Sequence, residues 1–193
     1  RAWVIRPAVD TEFFCPSNKP DCDEKNFYII SVGSLLWRKG YEYALLAIRY
    51  LLDAGLPVHF NIVGEGPEKQ RLLYTIYDLQ IQNHVSLSGK KTPAEIKKYL
   101  QKSNVFLLSS LSEGISNAVL EAMACGLPVV SSDCGGMAEA INKDVEGFIV
   151  PVRNPHATAD ALAKLWHSPQ LLCSSFGLGS ALLRVEPVIL VGL

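Results

Sequence analysis

What this sequence lacks narrows its function quickly. It has no uninterrupted apolar run of the ~18 residues a membrane-spanning helix needs. It carries almost no net charge, −1 at pH 7. No bulk field therefore draws it to nucleic acid or an anionic membrane, and any anion site must be local. Its five cysteines, Cys15, Cys22, Cys125, Cys134 and Cys173, are odd in number and show no CxxC spacing. Neither a disulfide framework nor a zinc site follows from them. They read as reduced thiols of a cytosolic protein, several simply packed in the core. The opening Arg1-Ala2-Trp3-Val4-Ile5 lacks the charged-then-apolar pattern of a signal peptide. The absence of an initial methionine reads as a piece of a longer chain.

What is there is a regular alternation. The chain has 193 residues, 49% of them apolar, enough for one domain with a real core and some flanking segment. Residues 1–26, with Pro7, Pro16 and Pro20, read as a connector. Phe27 to Val32 is a β-branched, apolar run closed by Gly33. Residues 39–54 follow with helical spacing of Tyr43, Ala44, Ala47, Ile48, Leu51 and Leu52, ended by Gly55. Further strands are expected at Val58 to Val63, Val85 to Leu87, Val105 to Leu108, Pro128 to Ser131 and Gly147 to Val150. Helices fall between them at Glu68 to Leu79, from Thr92-Pro93-Ala94-Glu95 to Gln101, at 116–125, at Gly136 to Ile141, and finally at Pro155 to Trp166. Thr92 with Glu95 forms a capping box, and Asn154 caps the last helix.

Continuous rather than alternating apolar strands imply a sheet covered on both faces. The fold class is therefore α/β, a doubly wound Rossmann-like parallel sheet of about six strands with helices on both faces. Residues 27–168 form that domain, and 169–193 read as an atypical, poorly ordered tail without amphipathic period.

In such a sheet, ligands bind beyond the carboxyl ends of the strands where strand order reverses. With order 3-2-1-4-5-6 that crevice lies between the loops after the first and fourth strands. The first loop is Gly33-Ser34-Leu35-Leu36-Trp37-Arg38-Lys39-Gly40. Gly33 admits a ligand close to the backbone. Arg38 and Lys39 put positive charge near a helix start, where the dipole disfavours it and an anion would relieve the conflict. Two solvated surface charges would read the same way. The second loop, Glu113-Gly114-Ile115-Ser116-Asn117, leads into a helix whose free N–H groups can hold phosphate. Ser116 and Asn117 can cap or donate. Glu121 lies about 8–9 Å further along that helix, the offset from a diphosphate to a ribose, and a carboxylate accepts bonds from two hydroxyls. The plain alternative is two surface glutamates around a helix cap.

The run Glu113-Gly-Ile-Ser-Asn-Ala-Val-Leu-Glu121, continuing through Ala-Met-Ala-Cys-Gly-Leu-Pro to Val130, closely resembles the glutamate–seven residues–glutamate signature of family 4 glycosyltransferases. These are retaining enzymes of the two-domain GT-B architecture. The resemblance extends from about Val4 to Trp166, through Val-Gly-Ser-Leu and Arg-Lys-Gly at 32–40, Ile-Val-Gly-Glu-Gly-Pro at 62–67, Val-Ser-Leu-Ser-Gly at 85–89, and Glu146-Gly-Phe-Ile-Val-Pro151.

The resemblance implies roles. Glu113 would contact donor-sugar hydroxyls and Lys39 would neutralise the diphosphate and assist its departure, the two forming the catalytic pair. Gly33, Ser34, Arg38, Gly114, Ile115, Ser116 and Asn117 would line the donor site, the second-loop residues largely through backbone N–H groups. Glu121 would hold the ribose. The family arginine after the first-loop glycine is Ser34 here, and Arg38 is expected to replace it. The implied substrate is a UDP- or GDP-linked sugar, and the acceptor a growing polysaccharide or lipid-linked glycan. No cofactor or metal is implied, and no nucleic acid partner. Asp21-Cys22-Asp23 resembles a metal-binding DxD, but sits in the connector rather than at a strand end. His59, His84, His156 and His167 suit core, surface or capping roles. Val4 to Phe14 resembles the crossover from an N-terminal acceptor domain, so the chain is expected to lack that partner domain and to transfer little alone. The expected setting is cytoplasmic, at the cytosolic face of the membrane. Two alternatives are a non-catalytic nucleotide-binding module and a GT-B nucleotide-sugar epimerase. A dinucleotide dehydrogenase is excluded by the absence of GxGxxG after the first strand.

Overall fold

The structure is a computed structural model that describes residues 7–17, 25–141 and 147–168. It is a six-stranded, wholly parallel sheet in the order β3-β2-β1-β4-β5-β6. In chain order the elements are β1 (Phe27–Val32), α1 (Tyr41–Asp53), β2 (Val58–Val63), α2 (Lys69–Asp78), β3 (Val85–Gly89), α3 (Pro93–Gln101), β4 (Val105–Leu108), α4 (Asn117–Ala124), β5 (Val129–Ser132), α5 (Met137–Ala140), β6 (Gly147–Val150) and α6 (Pro155–His167). A single 3-10 turn, Trp37–Lys39, precedes α1. Strand order reverses between β1 and β4, where Ile30 lies beside Asn61 of β2 on one side and Phe106 of β4 on the other.

The pleat divides the core in two. Phe27, Ile29, Phe60 and Ile62 point to the layer built by α1, α2 and α6, against Leu45, Ile48, Ile76 and Leu162. Ile30, Val63, Phe106 and Leu108 point to the opposite layer, against Val119 and Met123 of α4. Full burial of each large side chain contributes roughly 1.5–3 kcal/mol, so both layers hold the central strands. Phe14 of the connector is buried in the second layer, and Cys15 O accepts from Gln101 Nε2 at 2.8 Å.

Helix ends follow the sequence signals. Thr92 and Glu95 form the capping box, and Asn154 Oδ1 accepts from Ala157 N. Past α1, Leu56 N reaches Leu51 O while Gly55 N reaches Leu52 O, the paired bonds of a Schellman motif. The strand-like stretch at Trp3-Val4-Ile5, the Asp21-Cys22-Asp23 triplet, Glu146 and the tail at 169–193 lie outside the described residues.

Candidate active site

The loops after β1 and β4 meet at the carboxyl edge of the sheet, as the strand order requires. They are stitched together by backbone. Leu111 N donates to Arg38 O at 2.7 Å, and Ser109 Oγ donates to Lys39 O at 2.9 Å. Gly40 makes this approach possible. It sits at φ +60°, and a Cβ there would stand 2.3 Å from the Ser109 carbonyl oxygen.

The central contact is an ion pair between Lys39 Nζ and Glu113 Oε1, with both side chains largely withdrawn from water at 12% and 16% exposure. Glu113 Oε1 is buried and has no aligned hydrogen-bond donor, so the charge of Lys39 is its compensation. Arg38 and Lys39 close the 3-10 turn instead of entering the first turn of α1. The dipole conflict expected from the sequence is therefore relieved by geometry, and Glu113 answers the lysine charge.

Glu113 is held by a third loop that sequence reasoning missed. Its N–H donates to Cys134 O at 2.8 Å, and its own carbonyl accepts from Gly136 N at 3.4 Å. It forms an isolated parallel bridge with Gly135. The signal was present in the sequence as Cys134-Gly135-Gly136 after the fifth strand. A paired glycine at the same sheet edge marks a place where two backbones come close. Cys134 is buried among the core residues, and burial pushes its thiol above its ordinary range.

Gly114 is exposed, with open space where a Cβ would stand. Ile115 is half-buried, and Ser116 is buried at the N-cap of α4. The Ser116 side chain makes no capping hydrogen bond, contrary to the capping role the sequence allowed. Its N–H instead meets Met137 Sδ at 3.4 Å, because α5 packs against the loop. With no side-chain cap, the first-turn amides of α4 lack a capping partner, and Asn117, its first residue, is exposed. Glu121 lies along the same helix, half-buried, and burial raises its carboxyl above the usual range. Ser34 and Arg38 are both exposed on the first loop. Gly33 closes β1, and its N–H donates to Val63 O at 2.9 Å.

The structure thus brings Gly33, Lys39, Glu113 and the start of α4 to one crevice, with Ser34 and Arg38 on its first loop and Glu121 along α4. Among the described residues, cysteines and histidines stay out of it, Cys134 excepted. Tyr50 stacks on His156 between α1 and α6, at 4.1 Å between ring centroids. His59 lies between Tyr28 and His84. Among the described residues no cluster of His, Cys, Asp and Glu is arranged to hold a metal ion. No helix among them is long and apolar enough to cross a membrane. A separate cavity of about 930 Å³ opens beside β2 and β3, floored by Asn61, Ser86 and Ser88, and contains none of the crevice residues.

Comparison with known proteins identifies the family and the fold. The family model described as glycosyl transferases group 1 matches residues 16–177. The putative colanic acid biosynthesis glycosyltransferase WcaL of Escherichia coli K12 is 38% identical over 166 residues, covering 83% of this chain and 41% of that protein. The amylovoran biosynthesis glycosyltransferase AmsK of Erwinia amylovora is 39% identical over 168 residues, covering 84% and 41%. The chain therefore spans about two-fifths of the length of these relatives. Among solved structures, Anabaena HepE in complex with UDP and glucose superposes with a TM-score of 0.83 at 21% identity, covering 94% of this chain and 51% of that one. The C-terminal domain of the group 1 glycosyl transferase LpcC from Francisella tularensis superposes at 0.79 and 21% identity, covering 93% and 98%. The fold is that of a GT-B glycosyltransferase domain, and the chain belongs to the glycosyl transferases group 1 family.

Proposed function

We propose that this domain binds the nucleoside-diphosphate sugar of a retaining, family 4-type glycosyltransferase in the crevice between the loops after β1 and β4. The observation that carries the reading is the Lys39–Glu113 ion pair beside the bare start of α4, with Glu121 along the same helix. A donor diphosphate takes the place of the Glu113 carboxylate at Lys39 and accepts from the amides of Gly114, Ile115 and Asn117, the Ser116 amide being engaged by Met137. Helix starts and ammonium groups both favour phosphate. Glu113, released, turns to hydroxyls of the donor sugar. Glu121 accepts from the two ribose hydroxyls, and Arg38 supplies the cation that Ser34 does not.

During transfer the bond between anomeric carbon and diphosphate oxygen breaks, a bond to an acceptor hydroxyl oxygen forms on the same face, and the proton of that hydroxyl passes to the departing diphosphate oxygen. Negative charge then builds on the leaving diphosphate, where Lys39 and the α4 amides already stand preorganised. These groups supply the positive charge, so the reading calls for no metal. The relatives named for colanic acid and amylovoran biosynthesis, and one named as a UDP-Gal galactosyltransferase acting on a diphosphoundecaprenol-linked sugar, support a UDP-linked donor and a polysaccharide or lipid-linked acceptor. A further domain, preceding the connector at residues 1–26, holds that acceptor, and the reaction takes place on the cytosolic side of the membrane.

A thermal-shift panel of UDP, GDP, ADP, their sugar conjugates and NAD tests the reading on this chain. Binding to the folded state raises the midpoint by mass action. UDP or GDP is expected to raise it and NAD to leave it unchanged. No shift with any nucleoside diphosphate at millimolar concentration would remove the reading.

A further inference from the structure

Tyr41, the first residue of α1, is in none of the motifs that mark the site, yet it stands directly beneath it. Only 5% of it is exposed, and its ring packs in the core layer of α1, α2 and α6. Its hydroxyl leaves that apolar layer and donates to Gly33 O at 3.2 Å. The same carbonyl is wedged on its other side by Gly64, where a Cβ would fall 1.9 Å from the oxygen. The bare Cα of Gly33 then becomes a meeting point. A Cβ placed there would lie 3.2 Å from the Tyr41 hydroxyl oxygen, 3.3 Å from Lys39 Cε and 3.5 Å from Lys39 Nζ. The phenol and the lysine head therefore converge on one small patch of backbone. Glu113 is near enough that its charge, after burial, is the second cause holding the phenol protonated. A buried hydroxyl with a fixed proton and one backbone acceptor is a rigid strut, because leaving it unpaired carries the full desolvation cost.

We infer that Tyr41 is a positioning residue for Lys39: its hydroxyl fixes the Gly33 turn so that the lysine ammonium stays aimed into the crevice when a diphosphate displaces Glu113. This rests on the donor-binding reading above. Without the hydroxyl, a phenylalanine ring fills the same space in the core. The Gly33 carbonyl loses its donor, and Lys39 is free to follow Glu113 or solvent.

The test is a double-mutant cycle on UDP binding by the 193-residue chain, with Tyr41→Phe, Lys39→Met and both together. Tyr41→Phe is expected to weaken UDP binding by about tenfold, the scale of one hydrogen bond to a charged-group scaffold. In the Lys39→Met background the same change is expected to have no further effect. A merely structural tyrosine would instead weaken binding equally in both backgrounds, and that result overturns the inference, as does wild-type affinity in Tyr41→Phe. If wild-type chain binds UDP and Lys39→Met binds it equally well, the donor-binding reading itself fails first. Should Tyr41→Phe fold poorly, the cycle is repeated in a Gln80→Gly background, a stabilising change at the far end of α2 argued below, so the coupling stays readable.

Discussion

Lys39 and Glu113 neutralise each other across a crevice whose two walls come from distant parts of the chain. The pair makes the ligand-free site self-complementary. Replacing Glu113 by Gln leaves Lys39 mostly buried without a counter-charge, which costs about 1–3 kcal/mol of stability. It also removes the carboxylate that competes with and repels a diphosphate. Glu113→Gln is therefore expected to lower the unfolding midpoint of the free domain yet tighten UDP binding by about three- to tenfold. In a protein of the relatives' full length carrying this domain, the proposed sugar transfer is expected to fall by about 10² or more, because the carboxylate no longer holds the donor sugar. Calorimetry of UDP binding beside thermal unfolding checks the first two. Weaker UDP binding in this variant would show that Glu113 helps hold the nucleotide.

Much of this is legible in the sequence. Short apolar runs between helices point to a doubly wound sheet, and the strand order 3-2-1-4-5-6 is the one that class ordinarily takes. The crevice followed from where that order reverses, and Lys39 and Glu113 both stood in the loops it designated. Three things were not legible. The Cys134-Gly135-Gly136 loop pairs with Glu113 through backbone alone, and main-chain pairing leaves only a faint glycine signal. Ser116 looks like a helix cap in sequence, but α5 brings Met137 to its amide, and packing between elements overrode local preference. Tyr41 is absent from the apolar face expected for residues 39–54, which starts at Tyr43, and periodicity reports at most which face is buried and not what a buried hydroxyl reaches.

Two glycines at the crevice should answer substitution in opposite ways. Gly40→Ala forces a left-handed residue, worth about 1–2 kcal/mol, and drives a Cβ into the Ser109 carbonyl. Stability is expected to fall by at least about 2 kcal/mol, and UDP binding with it, because Ser109 no longer holds the Lys39 carbonyl. Gly114→Ala meets nothing within 4 Å. Its stability should stay within about 0.5 kcal/mol of wild type, while UDP affinity drops because the methyl stands where the diphosphate approaches the loop. Urea unfolding paired with UDP titration separates the two. Equal binding by Gly114→Ala and wild type would move the diphosphate away from this loop.

Gln80 carries strain that the site does not need. It ends α2 at φ +57°, with Gln80 N bonded to Tyr77 O and Ile81 N to Ile76 O. This is the Schellman geometry that glycine usually occupies. Gln80→Gly removes the left-handed penalty and gives back part of it as unfolded-chain entropy. The net expectation is stabilisation of about 0.5–1 kcal/mol with unchanged UDP affinity, read by chemical denaturation. Destabilisation would mean that the glutamine side chain makes a contact worth more than the strain.

Glu121 links the site to pH. Burial raises its carboxyl above the ordinary carboxylate range, so the folded domain holds this proton more tightly than the unfolded chain. Stability from this group is then present below the unfolded pKa and is lost as pH rises through the folded value. The ligand-free domain carries a partly desolvated carboxylate at neutral pH, which is a cost to the fold and an advantage to a site that must grip ribose hydroxyls. Glu121→Gln is expected to raise the unfolding midpoint at pH 7 and to flatten this loss between pH 4.5 and neutrality. The same change should weaken UDP binding by about tenfold or more, since an amide offers only one acceptor to two hydroxyls. Deoxyuridine diphosphate, which lacks one of those hydroxyls, should bind the variant and wild type with closer affinities than UDP does. A variant that discriminates UDP from its deoxy form as strongly as wild type would take Glu121 out of ribose recognition and leave it as a strained carboxylate on α4.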